Sequence, residues 1–76
     1  MQINNQIKKI TAEEVAELRK KIRRGDYDLI SEMLDGLYKP ITVKHMILGY
    51  RNMKPLVYEA ANRLIETIEN LKNEIK

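Results

Sequence analysis

DYDLISEMLDG (26–36), LYKP (37–40) and ITVKHMILGYRNM (41–53) decide how this chain folds. The first run reads as a short amphipathic helix over 27–34, with Asp26 as its N-cap. Tyr27, Ile30, Met33 and Leu34 would form its inner face, and Gly36 stands where a helix end takes a left-handed C′ residue. In the third run, Val43, Met46, Ile47 and Tyr50 recur at i, i+3, i+4 and i+7, so a helix over 41–48 buries that face. Ile41, Lys44, His45 and Leu48 fall on the opposite face, and Gly49 ends the helix. Pro40 suits its first turn, where a missing N–H costs nothing. Helices this short are held by their neighbours and not by intrinsic propensity. A helix supported from behind, with polar and basic groups in front, is a surface shaped to press into a partner.

Upstream, Thr11-Ala-Glu-Glu is a capping box, with a hydroxyl at the N-cap and Glu14 three residues on. Val15, Leu18 and Ile22 mark a buried stripe, helped by Ala12 and Ala16. The cations Arg19, Lys20, Lys21, Arg23 and Arg24 complement the helix dipole, and Gly25 is the expected C′ stop. The same cations suit either a solvated face or phosphate contact. Residues 1–10, MQINNQIKKI, carry no cap and read as an extended arm. Lys8 and Lys9 there could reach a phosphate backbone, or the arm could pair with a partner subunit.

Downstream, YRNMK (50–54) forms a loop in which Met53 is expected to return to the core. Pro55 then opens a long helix over 55–76. Val57, Ala61, Leu64, Ile68, Leu71 and Ile75 are spaced 4, 3, 4, 3, 4, which is a heptad seam. Leu56, Ala60 and Ile65 widen its early part enough to pack on the other helices. Past Ile68 the stripe narrows between Glu66, Glu69, Lys72 and Glu74. So narrow a seam stabilises little by itself, which makes Leu64, Ile68, Leu71 and Ile75 the expected dimerisation residues.

Composition bounds the rest. The chain has 76 residues, a net charge of +3, no cysteine, no tryptophan and no phenylalanine. A thin aliphatic core in so short a chain gains from dimerisation. The absence of cysteine excludes a thiolate metal site and a thiol nucleophile, and it suits a reducing cytoplasm, bacterial or that of an infected host cell. No apolar run is long enough to span a membrane or to serve as a signal-peptide core. Catalysis is not expected. No Ser/His/acid or Cys/His set and no Gly-rich phosphate loop is present, and the cap explains Glu13-Glu14. His45 is the lone histidine and has no carboxylate spaced to join it around a metal. Neither a cofactor nor a small-molecule ligand is expected.

Residues 26–68 resemble the helix-turn-helix domains of the lambda-repressor-like superfamily, including lac-repressor-type headpieces, and small bacterial or phage regulators. The resemblance rests on Gly36 in the turn, Thr42-Val43 opening the second helix, Leu48-Gly49 closing it, apolar Met53 in the loop and the Ala60-Ala61 pair beyond. One spacing departs from the motif. Gly36 and Val43 are seven apart instead of six, which lengthens the turn by a residue. Glu32 or Met33 stands where the family prefers a small alanine, which implies a looser helix crossing.

The resemblance implies an all-α, compact four-helix domain over 11–68, with an arm before it and a long C-terminal helix. It implies a repressor-like transcriptional regulator, dimeric, inserting helix 41–48 into the major groove of double-stranded DNA. Thr42, Lys44, His45 and Ile41 are then the candidates for base contact. Tyr38, Lys39, Arg51, Asn52 and Lys54 bracket the helix as candidates for phosphate contact. Outward-facing Ile41 and Leu48 keep a second possibility open, an adaptor or assembly factor in which the same helices bind protein.

Overall fold

Thr11 starts the first helix in the way its capping box demands. The Thr11 N–H donates to Glu14 Oε1 at 2.9 Å, and the Glu14 N–H donates to Thr11 Oγ1 at 3.1 Å. The structure, a computed structural model, describes residues 10–75, with side chains through residue 74. The arm over 1–10 therefore lies outside the described residues except for Ile10, as do Lys76 and the Ile75 side chain. Four helices follow in order: α1 (Ala12–Lys21), α2 (Asp26–Met33), α3 (Pro40–Leu48) and α4 (Pro55–Ile75). No strand occurs among the described residues, so the all-α, four-helix expectation holds.

The core sits where α1, α2 and α4 close around α3. Leu18, Ile30, Val43, Met46, Ile47, Val57, Ala60, Ala61 and Ile65 are buried together. Ile22, Leu34, Met53 and Leu64 pack on the edge of that cluster. At roughly 25 cal/mol per Å² of apolar area removed from water, these aliphatic side chains are the main stabilising term.

Both links flanking α2 are pinned by polar side chains that are themselves buried. The Arg23 N–H donates to Asp26 Oδ2 at 2.9 Å. Ser31 Oγ donates to the Tyr38 carbonyl at 2.7 Å. This differs from the capping expected at Asp26. Gly25 occupies the N-cap position, and Asp26 is the first helical residue, its carboxylate reaching back across the link. Gly25 therefore does not terminate α1. That helix ends at Lys21, with Ile22 already extended, because the chain must turn within three residues to meet Asp26.

The end of α2 also differs in detail. Asp35 takes the left-handed position, at φ 55°, and Gly36 follows at φ 76°. The Gly36 N–H donates to the Ser31 carbonyl and the Asp35 N–H to the Glu32 carbonyl, the paired bonds of a Schellman motif. Gly36 is thus C″ instead of C′. On the inner face Ser31 replaces Met33, which is exposed. Six residues, 34–39, separate α2 from α3. That is longer than the three or four of a tight helix-turn-helix, and the excess is larger than the spacing of Gly36 and Val43 implied.

A second Schellman closure ends α3. Gly49 is left-handed at φ 94°, the Tyr50 N–H donates to the His45 carbonyl, and the Gly49 N–H donates to the Met46 carbonyl. This reversal carries Tyr50 off the helix, so it leaves the buried stripe to which its i+7 spacing assigned it and stands 75% exposed. Gly49 is also close to α1. A Cβ there would meet Arg19 Nη2 at 3.3 Å, in a conformation that costs an L-residue about 1–2 kcal/mol. Gly49→Ala is expected to lower the thermal midpoint by roughly 5–15 °C, measured by circular dichroism.

Candidate nucleic-acid interface

The C-terminal end of α3 is tied to α1 while its N-terminal end carries no side-chain cap. At the C-terminal end, Arg19 of α1 donates from Nε to the Ile47 carbonyl at 2.7 Å. The bond satisfies one carbonyl of the last turn and sets a cation against the negative end of the helix dipole. At the N-terminal end, Pro40 holds the first turn, and the N-cap Lys39 makes no side-chain capping bond.

Between these ends runs a groove of about 560 Å³, lined by Leu37, Tyr38, Lys39, Thr42, Met46, Arg51, Asn52 and Lys54. Thr42 and Met46 are one turn apart on α3, so the groove follows that side of the helix. The linker over 37–39 forms one wall and the loop over 51–54 the other. The residues expected to contact phosphate on opposite sides of the helix therefore lie together on one side of it. Lys39, Arg51 and Lys54 are its charged residues, and no carboxylate lines it. A second, smaller groove adjoins it through Met46, Arg51 and Asn52 and brings in Arg19.

The candidate base-reading residues divide. Thr42 lines the groove, whereas Ile41, Lys44 and His45 do not. Ile41 and Lys44 are exposed on the outer face of α3, while His45 and Leu48 are half-buried. The His45 ring meets Tyr50 edge-on, with centroids 5.7 Å apart. Tyr38 is half-buried against the core, and Ser31 holds its carbonyl.

Leu37, Met46 and Arg19 escaped the sequence reading as parts of this surface. Arg19 carried a usable signal. It lies one turn after Val15, at the edge of the stripe that α1 buries, where a long cation can reach a neighbouring helix. Leu37 carried none, because its position depends on the course of the linker.

Among the described residues, no group of His, Cys, Asp and Glu could hold a metal ion. No described helix is long and apolar enough to cross a membrane. No protein-family model, curated protein or solved structure matches this chain.

Proposed function

We propose that this domain binds duplex DNA, with the groove beside α3 seated on the phosphate backbone and the outer face of α3 turned to the base edges, in the manner of a repressor-like regulator. One observation carries the reading: Lys39, Arg51 and Lys54 converge with Tyr38, Thr42 and Asn52 on a single groove that no carboxylate lines. Three cations gathered around uncharged donors suit an anionic backbone, where most protein–DNA hydrogen bonds are made. The first turn of α3 adds to this, since no side chain caps it and a helix N-terminus favours negative charge. Lys44 is the exposed cation on the outer face of the helix and the best placed of the three outward residues to donate to guanine.

Titration of a labelled duplex at low salt, followed by fluorescence anisotropy, tests this division of roles. Arg51→Ala is expected to weaken binding to all sequences alike and to reduce the salt slope by about one. Lys44→Ala is expected to narrow the difference between preferred and random duplexes by roughly 1–3 kcal/mol. If both variants bind every duplex as the unaltered protein does, the assignment fails.

A protein-binding adaptor is the second reading, favoured by three large hydrophobic side chains on α3 or in the links flanking it that are more than half exposed: Leu37, Ile41 and Tyr50. Under it, binding to the partner tolerates salt and fails in Ile41→Glu.

A further inference from the structure

A second groove lies on another part of the molecule, between the end of α1 and the second half of α4. It measures about 300 Å³ and has an apolar floor of Ile22, Ile65 and Ile68. Lys20, Lys21, Arg23 and Lys72 line its walls with Glu69 as the one acid, a net of +3 from four cations and one carboxylate. It shares no residue with the groove beside α3.

Along the groove and past it α4 continues with residues 69–74 all exposed, Leu71 among them at 52%. Glu69 and Lys72 line the groove and cancel each other, which leaves the groove its three α1-end cations and the helix end a net charge of −2 from Glu66 and Glu74. A helix end of this length, with one apolar residue bare along its seam, gains little from being helical without a partner. The molecule therefore carries an acidic, apolar-edged helix end beside a basic, apolar-floored groove. The end cannot fold back into the groove, because α4 itself forms one of the groove's walls.

We infer that two copies of this chain pair antiparallel through α4, each placing its acidic helix end on the partner's basic groove. Leu71 then covers the Ile65–Ile68 floor of the other copy, and Glu66 and Glu69 meet the cations at the end of its α1. The arrangement is isologous, as a two-fold dimer requires, because one patch contains both halves of the contact. Parallel pairing would set like-charged helix ends side by side and leave both grooves open. Charge complementarity thus selects the orientation. This pairing is independent of the DNA reading, since no groove residue beside α3 takes part.

Light scattering of the full chain over a range of concentrations tests it. The expected mass is about 18 kDa, twice the 9.0 kDa of one chain. Leu71→Glu should give 9.0 kDa throughout with helicity unchanged, because that side chain is exposed in the single copy. Lys20→Glu, Lys21→Glu and Arg23→Glu together should raise the dissociation constant by about tenfold or more, and adding Glu66→Lys and Glu69→Lys should restore it. A single-chain mass for the unaltered protein at every concentration overturns the inference. So does a dimer indifferent to the triple reversal, which would be paired in parallel or through another face.

Discussion

Ile47→Ala is expected to lower the thermal midpoint of this domain by roughly 10–40 °C, well beyond the effect of any exposed-site substitution. Ile47 is fully buried in the last turn of α3, in the cluster that joins Leu18, Ile30, Val57 and Ala61 from the other three helices. Deleting its outer carbons removes apolar surface from the cluster that all four helices share, and so short a helix cannot shift to fill the space without losing its end contacts. The cost of such a truncation is about 2–5 kcal/mol. A chain of 76 residues has roughly 4–11 kcal/mol in all. The change therefore removes a large part of the margin. Ile47→Val should cost only about 1 kcal/mol. Tyr50→Ala, although Tyr50 shares the helical spacing of Ile47's own face, should stay within about 0.5 kcal/mol because the ring is exposed. Urea or thermal melts of the three variants check the ranking. Similar losses for Ile47→Ala and Tyr50→Ala would contradict the fold described.

The second large effect concerns binding. Replacing Lys39, Arg51 and Lys54 together by alanine is expected to weaken duplex DNA binding by about 100- to 1000-fold at low salt. For exposed side chains each such contact to a phosphate contributes roughly 1–1.5 kcal/mol, the upper half of the ordinary hydrogen-bond range, and the triple variant forgoes three of them. It should also flatten the plot of log affinity against log salt by about 2.7, from roughly 0.9 for each phosphate released. All three side chains are exposed, so the melting curve should barely move. Arg24→Ala with Arg63→Ala removes two charges outside both grooves that flank α3 and should leave the slope unchanged. Equal losses in the two sets would mean that net charge alone drives binding.

What could be read from the sequence was local. The Thr11–Glu14 capping box, the burial of Val43, Met46 and Ile47 and the length of α4 all follow from signals that act within one or two helical turns. The misplaced residues stand at chain reversals. Tyr50 has the right spacing but follows a left-handed Gly49, and periodicity cannot register where a helix has stopped. Gly25 resembles a C′ glycine, yet the Asp26 carboxylate reaches back to the Arg23 N–H, a side-chain bond that helical periodicity does not register, and α1 ends earlier. Met33 and Ser31 exchange places because the Ser31 hydroxyl is needed inside to hold the Tyr38 carbonyl. The candidate site was legible as a set of residues and illegible as a shape. Lys39 and Arg51 are twelve positions apart. Only the return of the loop over 51–54 along the Thr42–Met46 side of α3 brings them to one groove. The same folding left Lys44 and His45 outside it.

Amide chemical-shift mapping on addition of a short duplex at low salt tests most directly whether the surface beside α3 is the one that meets DNA. The shifts are expected to concentrate in residues 37–54, with Lys39, Thr42, Arg51 and Asn52 foremost and the α4 residues 64–74 nearly unmoved. Shifts concentrated on Lys20–Arg23 and 64–74, or no shifts at all, would contradict that assignment.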